Sequence, residues 1–412
     1  MKRHSPHLAC TCVASLALAV SGTFAATLAF ADDMAPVNIA ASLDLSGPAS
    51  ELGEQALAGM QFAMDSLNSN GGVLGRKVVL DKQDNGTNPQ RAVSQASTLA
   101  QQGASLLLSP ISSGGTVAVS KMVSGKMKVP MCVAVSAAEE ITMRDYQPYV
   151  FSMAPTTYML MRAVTTRLAK QPYKRYALLV PDYAGGRSAA NRFKEFMKEL
   201  NPQAQIVVEE YPKLGALDYT SSINKILAAK PDYVWAQIYS GDLVTFAKQA
   251  NAVGFFKQIN NHFMTVTDAN TLRILGENAP LGTEGYQYAP FNHLEKSPQG
   301  KDFVAQFKAK TGKYPSDWTS VGYDCVMTWA QAATAAKSTN PDAVMHAIET
   351  SEFNSLRGKL RFGQYDHEAE VPVYFGKMAN SAKYSQVILN IDDVVPASVT
   401  QPTKAVIEAS RK

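Results

Sequence analysis

Residues that commonly carry chemistry are scarce in this sequence. Among its 412 residues are four cysteines and six histidines, and the histidines are scattered along the chain. This predicts no metal site, because zinc sites need such ligands at short, regular spacings. The G-x-S-x-G turn, the P-loop, the H-E-x-x-H helix and a G-x-G-x-x-G loop after a strand are missing as well. We therefore expect no cofactor and no enzymatic activity.

Charge is sparse too. Only 18% of the residues are charged, and the formal net charge is +4. Residues 1–31 contain Lys2 and Arg3 but no acidic residue, so without them the net charge is +2. A balance this close to neutral gives no electrostatic reason to expect nucleic acid or a membrane surface as a partner. With 46% hydrophobic residues, the composition is typical of a soluble globular protein.

The N-terminal segment predicts export. Lys2 and Arg3 precede an apolar run over residues 8–30, and Ala29-Phe30-Ala31 forms a small-x-small site. We expect a signal peptide over residues 1–31, cleaved after Ala31. Two alternatives are weaker. A lipid attached at Cys10 would require that cysteine to follow the apolar core, which it precedes. A transmembrane anchor is disfavoured by the serine and glycine that interrupt the run.

Cleavage there leaves Cys132 and Cys325 as the cysteines of the mature chain. Both lie in apolar stretches, the first in a predicted strand and the second in a predicted helix. We expect two buried thiols, which behave as small hydrophobic residues. A disulfide formed in an oxidising compartment is the alternative.

The chain is long enough for two domains, and strands and helices alternate along it. Strands are predicted at residues 37–43, 77–82, 104–108, 129–135, 149–153, 176–180, 205–211, 233–237, 262–265, 358–362, 372–378 and 386–392. Helices are predicted at residues 51–68, 92–99, 188–200, 219–229, 243–253, 271–275, 299–311, 318–337 and 341–351. This rhythm predicts an α/β fold with parallel sheets and right-handed crossovers.

Two strand ends in residues 109–142 are candidates for a binding site. After the first strand, Ser112 and Ser113 stand at the start of a helix, where unpaired N–H groups and the helix dipole favour a carboxylate. After the second, Val135, Ser136 and Ala137 stand at the carboxyl end of a buried strand, where open α/β sheets bind ligands. The sequence therefore predicts a small carboxylate between these two ends.

Several short motifs follow one another along the chain: Asp44-Leu45-Ser46-Gly47-Pro48, Gly71-Gly72-Val73-Leu74-Gly75-Arg76, Asn88-Pro89, Ser109-Pro110 with Ser113-Gly114, Pro181-Asp182-Tyr183-Ala184, Lys230-Pro231-Asp232-Tyr233-Val234 and Gly322-Tyr323-Asp324. In this order they resemble the type I periplasmic binding proteins, and most of all the branched-chain amino acid (Leu/Ile/Val) receptors of ABC importers. Each alone is weak, but together they cover nearly the whole mature chain.

The resemblance implies two Rossmann-like lobes with parallel-type central sheets, joined by three hinge crossings near residues 153–157, 289–293 and 364–372. Lobe I would comprise residues 36–153 and 290–365, and lobe II residues 154–289 and 366–412. Hinge closure would trap the ligand, and a membrane permease would recognise the closed form. The resemblance also implies a periplasmic location, and we expect a monomer.

The resemblance implies ligand-binding roles for individual residues of this chain. Ser113 matches the serine that binds the ligand carboxylate, and Tyr239 and Tyr323 match aromatic cleft positions. Val135 and Ala137 match the strand-end pair, although Ala137 replaces a threonine. Leu52 and Gly185 stand where the family has aromatic residues. Asp268 stands one residue from the acid that pairs with the ligand's ammonium group.

These departures leave the ligand open. An amino acid is the family default, whereas lost bulk at Gly185 and a lost hydroxyl at Ala137 favour a larger carboxylate such as benzoate, or an amide. A ligand-sensing module for a signalling partner shares this fold, but the chain offers no fused output domain to support that alternative.

Overall fold

The computed structural model describes residues 35–259 and 262–412. The predicted signal peptide therefore lies outside the described residues. Fourteen strands occur in them: β1 Val37–Leu43, β2 Val78–Asp84, β3 Leu106–Leu108, β4 Met131–Val133, β5 Val150–Ser152, β6 Arg175–Leu179, β7 Gln205–Glu210, β8 Tyr233–Ala236, β9 Phe263–Val266, β10 Glu284–Gln287, β11 Phe353–Ser355, β12 Gly358–Leu360, β13 Val373–Ser381 and β14 Gln386–Val395.

Sixteen α-helices occur in the same residues. They are α1 Ser50–Ser69, α2 Pro89–Gln101, α3 Ser113–Val119, α4 Gly125–Met127, α5 Thr157–Leu168, α6 Ala184–Leu200, α7 Thr220–Ala229, α8 Ser240–Ala252, α9 Phe255–Gln258, α10 Ala269–Leu275, α11 Phe291–Leu294, α12 Pro298–Thr311, α13 Asp317–Ala336, α14 Pro341–Thr350, α15 Ala397–Thr400 and α16 Lys404–Ser410. A π-helical segment, Ser120–Ser124, joins α3 to α4.

Two sheets organise the chain, which confirms the predicted α/β class. Sheet A has five strands in the order β2-β1-β3-β4-β5, and all of its pairings are parallel. Sheet B has seven strands in the order β14-β13-β10-β9-β8-β6-β7. Its outer pairings, β10 with β13 and β13 with β14, are antiparallel. Sheet B is therefore mixed, where a parallel-type sheet was expected, and β10 was not predicted at all.

The chain passes between the two sheets three times. It leaves sheet A after β5 and enters sheet B at β6, then returns after β10 to α13, which packs on α1 beside sheet A. It enters sheet B again at β13. The number of passages equals the three predicted crossings, while the lobe boundaries given above stay predictions.

Close packing of α1 on α13 depends on glycine. A Cβ at Gly59 would lie 1.9 Å from the Thr319 carbonyl oxygen, and one at Gly322 would lie 2.4 Å from the Ala56 carbonyl oxygen. Only glycine lets the two backbones approach this closely. Since the N-terminal turns of both helices reach the boundary between the sheets, this packing also fixes the position of candidate site residues.

A disulfide ties sheet A to α13. Cys132 on β4 and Cys325 on α13 are bonded, with their Cα atoms 5.9 Å apart and a separation of 193 positions in sequence. The expectation of two buried thiols is therefore wrong, although both residues are fully buried as expected. A separation this long gave no local signal that the fold would bring the two sulfur atoms together.

In the residues that the structure describes, no helix is both long and apolar enough to span a bilayer. The same part of the chain contains no group of three or more histidine, cysteine or acidic residues arranged to hold a metal ion.

Candidate functional site

The two predicted strand ends meet beyond the carboxyl ends of β3 and β4 in sheet A. We call the part of the molecule around sheet A the sheet A side, and the part around sheet B the sheet B side. Ser112 is the N-cap residue of α3, and both Ser112 and Ser113 are half-buried. The Oγ of Ser136, three residues after the end of β4, donates a hydrogen bond to the Oγ of Ser113 at 3.3 Å. The first-turn N–H groups of α3 have no partner in an earlier helical turn. The structure thus brings together hydroxyls and helix N–H groups that could hold a carboxylate.

Asp44 positions the turn that carries these serines. Its carboxylate is fully buried at the end of β1 and accepts a hydrogen bond from the Ile111 N–H at 2.7 Å. The Ser112 N–H lies 3.5 Å from the same oxygen, Oδ2. Asp44 belongs to one of the family motifs but was not predicted in the site, because its contact with this turn depends on the pairing of β1 with β3.

The rest of the second strand end faces the first crossing. Val135 is buried in the core of the sheet A side. The Ala137 carbonyl accepts hydrogen bonds from the Thr157 N–H at 2.7 Å and from the Thr157 hydroxyl at 2.9 Å. This carbonyl therefore links sheet A to the start of α5, so Ala137 lies where a hinge would bend.

On the sheet B side, Tyr183 takes the space expected to be open at Gly185. A Cβ built at Gly185 would lie 2.7 Å from Cε2 of the Tyr183 ring. The Tyr183 ring, from two residues earlier, therefore lies beside Gly185, while the expectation that glycine at 185 leaves more room for the ligand stays a prediction. Tyr183 belongs to one of the family motifs, but it was not among the predicted site residues.

Tyr183 belongs to a group of tyrosines. Its hydroxyl lies 3.1 Å from that of Tyr239, the N-cap residue of α8. Burial raises the pKa of both phenols, that of Tyr239 well above its usual value. Tyr286 donates to the Gln237 side chain at 2.6 Å, and its ring centre lies 6.4 Å from that of Tyr288. These neutral hydroxyls give the sheet B side an aromatic wall with polar tips.

An aromatic contact joins this wall to the other side. The ring of Tyr288 meets Trp318, in the first turn of α13, edge to face with the ring centres 4.9 Å apart. Neither residue was predicted to be in the site. In contrast, Tyr323 packs with Phe62 and Phe303 in the core and makes no ring contact with this group among the described residues.

Asp268 caps a helix. Its carboxylate accepts hydrogen bonds from the N–H groups of Asn270 at 2.9 Å and Thr271 at 3.1 Å, and from the Thr271 hydroxyl. The residue is 4% exposed, and burial raises its pKa while these hydrogen bonds lower it. The carboxylate is thus largely occupied within α10.

The polar contacts that cross from the sheet A side to the sheet B side include one made by Glu51 and one made by Glu139. Glu51, in the first turn of α1 beside the half-buried Leu52, accepts a hydrogen bond from the Asn270 amide at 2.8 Å. Glu139 forms a two-pronged ion pair with Arg192 on α6, with its closest contact at 2.7 Å. We use the name cleft for the boundary between the two sides. It comprises the contacts of Glu51 and Glu139, the serines Ser112 and Ser113, and the tyrosines Tyr183, Tyr239, Tyr286 and Tyr288.

Comparisons with known proteins match most of the described chain. A family model described as a periplasmic binding protein matches residues 36–383. The Leu/Ile/Val-binding protein homolog 8 of Brucella suis biovar 1 is 26% identical over 348 residues, 82% of this chain and 84% of that protein. The Leu/Ile/Val-binding protein of Escherichia coli K12 is 24% identical over 356 residues, 83% of this chain and 93% of that protein.

A solved structure gives the same architecture. The solute-binding protein of an ABC transporter from Rhodopseudomonas palustris BisB5, in complex with 3,4-dihydroxybenzoic acid, aligns with a TM-score of 0.79 at 20% identity. The alignment covers 88% of this chain and 98% of that one. At this identity the likeness concerns the fold.

Proposed function

Because this chain belongs to the periplasmic binding protein family, we propose that it is the solute-binding receptor of an ABC importer of the branched-chain amino acid type. It captures a small carboxylate-bearing ligand, by default an amino acid, in the cleft and presents it to a membrane permease without changing it chemically. It acts in the periplasm, which it reaches through the signal peptide over residues 1–31. The observation that carries the proposal is the meeting of Ser113 and Ser136 at two strand ends of sheet A.

The ligand carboxylate lies at the start of α3. Ser112 and Ser113 supply hydroxyl donors there, and the first-turn N–H groups add the positive end of the helix dipole. Asp44, by holding Ile111 and Ser112 through their N–H groups, keeps this turn in place before the ligand arrives. A preformed site of this kind loses little free energy to ordering on binding.

The ligand's body contacts the tyrosine wall. Tyr183 and Tyr239 are half-buried with their hydroxyls 3.1 Å apart, and Trp318 packs on Tyr288 from the opposite side. Aromatic faces accept aliphatic or aromatic groups. An aromatic carboxylate or an amide is therefore the second candidate ligand, favoured by the wall itself and by the dihydroxybenzoate bound to the Rhodopseudomonas relative.

Closure occurs by rotation about the three crossings. The Ala137 carbonyl is bonded at the first crossing, and Asp317 accepts from the N–H groups of Tyr288 and Ala289 at the second. At the third, the Ser152 N–H donates to the His367 carbonyl at 2.9 Å. Short bonded crossings favour rotation of the lobes as rigid bodies. The alternative function, a sensing module for a signalling partner, would use the same motion.

A thermal-shift panel tests this proposal. Protein from expression of the full chain, unfolded and refolded to remove bound ligand, is melted with leucine, isoleucine, valine, phenylalanine, benzoate, 4-hydroxybenzoate or leucinamide. A ligand at a hundredfold its Kd stabilises the protein by about 2.7 kcal/mol. Stabilisation by the amino acids supports the default ligand, and stabilisation by the benzoates alone supports the second. No shift with any compound contradicts a receptor for small carboxylates.

A further inference from the structure

The C-terminal segment runs back from sheet B to the sheet A side. After β14, which lies at an edge of sheet B, α15 packs on α5 and α16 follows. Beyond α16, Arg411 contacts residues that lie between β4 and β5 of sheet A. We call residues 396–411 the strap. They lie outside residues 36–383, which the family model matches, so the family resemblance says nothing of them.

Arg411 attaches the strap to the sheet A side. Its Nε donates a hydrogen bond to the Met143 carbonyl at 3.0 Å, and its Nη2 donates to the Thr142 carbonyl at 3.4 Å. Both carbonyls directly follow a short 3-10 helix, Glu139–Ile141. The last carbonyls of a helix have no partner within it, so a guanidinium group with several donors suits this position. The strap therefore ends on a fixed part of the sheet A side.

The same guanidinium group also reaches the third crossing. It donates to the Tyr365 carbonyl and lies over the Tyr146 ring, 4.5 Å from the ring centre. The Tyr146 hydroxyl lies 3.1 Å from Nε2 of the buried His367. The carbonyl of His367 accepts the N–H of Ser152, where β5 leads into the first crossing. Arg411 is thus bonded next to the place where the first and third crossings meet.

The other end of the strap is fixed on the sheet B side. Arg167, in the last turn of α5, pairs with Asp392 at 3.3 Å and with Asp393 at 3.2 Å, close to the end of β14. It also pairs with Glu284 on β10 at 2.9 Å. Thr400, the last residue of α15, is fully buried. Because both ends are held, the two sides cannot move far apart here unless the strap stretches or Arg411 is released.

We propose that the strap is a connection between the two sides, in addition to the three crossings, and that it limits how far they open without ligand. Arg192 holds Glu139 across the cleft, and Arg411 holds the residues just after the same short helix. The first contact breaks when the cleft opens, whereas the second lies beside the crossings and stays bonded. The inference rests on the hinge motion of the proposed function. A limited opening keeps more of the protein near its binding form, which raises the apparent affinity.

Spin labels on the two sides measure the opening directly. One label is placed at Gln90→Cys, an exposed position in the first turn of α2, and the other at Leu217→Cys, an exposed position between β7 and α7. The full chain is used, and its own Cys132 and Cys325 are already bonded to each other. Pulsed electron paramagnetic resonance then gives the distribution of distances between the labels.

Two variants of neighbouring exposed residues form a matched pair. Without ligand, Arg411→Ala should shift the label distances to longer values than in the unsubstituted background. Lys412→Ala, which removes the positive charge next along the chain, should leave them unchanged. Equal distances in Arg411→Ala and Lys412→Ala overturn the inference. Shorter distances in Arg411→Ala overturn it too, because the strap would then hold the two sides apart.

A ligand series separates the strap from the hinge motion on which it depends. Calorimetric titration with leucine and with benzoate should give a Kd about two- to tenfold weaker in Arg411→Ala than in Lys412→Ala for the compound that binds. Binding of either compound with no shortening of the label distances in the unsubstituted background overturns both the hinge motion and the strap. A failure of both compounds to bind bears on the proposed ligand alone, since the distances without ligand still decide whether Arg411 restrains the two sides.

Discussion

The ring of Tyr183 lies over Gly185 so closely that a single Cβ at residue 185 would come within 2.7 Å of its Cε2. Because residue 185 has no side chain, the Tyr183 ring occupies the space beside its Cα atom. From there, the Tyr183 hydroxyl reaches that of Tyr239 at 3.1 Å. An aromatic ring therefore lies near the start of α6. Tyr183 supplies it, whereas the family has its aromatic residue at the position of Gly185.

Substituting Gly185 should change ligand binding more than stability. In Gly185→Ala the added methyl displaces the Tyr183 ring and breaks its contact with Tyr239, so the affinity for the ligand should fall severalfold. Alanine also favours the helix by up to about 1 kcal/mol, which offsets part of the strain. Calorimetric titration measures the affinity. Gly241→Ala is the matched control, since its Cβ would meet nothing within 4 Å at the start of α8, and unchanged binding in both variants would contradict this role for Tyr183.

Much of the architecture was predictable because it depends on local pattern. The alternation of apolar strands and helices predicted both halves, and all five strands of sheet A were found. β10 escaped prediction because it has four residues, Glu284–Gln287, and becomes a strand by pairing with β9 and β13. The antiparallel edge of sheet B likewise depends on pairing between distant segments.

The site was predictable where it depends on helix starts and strand ends, as at Ser113 and Ser136. It was not predictable where side chains arrive from distant elements. Tyr288 and Trp318 meet only once α13 packs at the boundary. Tyr323, five residues further along α13, faces the core instead, and the resemblance could not reveal that rotation. Contact of these residues with a ligand stays a prediction.

The ion pair between Arg192 and Glu139 should favour the closed form. The Glu139 carboxylate is mostly buried and accepts hydrogen bonds from two guanidinium nitrogens of Arg192. An ion pair of this geometry stabilises a protein more than a single contact between exposed side chains does. Arg192→Ala should weaken ligand binding by about two- to tenfold and increase the radius of gyration of the ligand-free protein in small-angle scattering. Lys359→Ala, which removes an exposed pair with Glu352, should change neither. Equal effects of the two substitutions would refute a role in closure.

The disulfide should contribute substantially to stability. It closes a loop of 193 residues, and such constraints typically add about 2–5 kcal/mol by restricting the unfolded chain. The double variant Cys132→Ala, Cys325→Ala should lose about that much in guanidinium unfolding, and the ligand Kd should stay within twofold. Reduced wild type serves as the comparison, and equal stability of the oxidised and reduced proteins would show that the bond contributes nothing.

The free energy of unfolding should decrease as the pH rises from about 4 to about 7, because the pKa of Asp317 is raised in the folded protein. Burial, the largest cause, raises the pKa of this carboxyl from 3.8 to about 7. Over this window the folded state holds a proton that the unfolded state has released, so the free energy of unfolding decreases as pH rises, by up to about 4 kcal/mol. Asp317→Asn retains an oxygen acceptor for Tyr288 and Ala289 and should flatten the profile. Parallel profiles of wild type and variant would mean that Asp317 stays ionised throughout.

The most direct test of the account is a calorimetric titration of refolded, ligand-free protein with the compound that most raises its melting temperature, compared with Ser113→Ala. We predict one site per chain with a Kd in the micromolar range or tighter, about −8 kcal/mol or better. We also predict a loss of about tenfold in Ser113→Ala and no change in Ser97→Ala on α2. Absence of saturable binding by any small carboxylate, or full affinity in Ser113→Ala, would contradict a carboxylate receptor built on the start of α3.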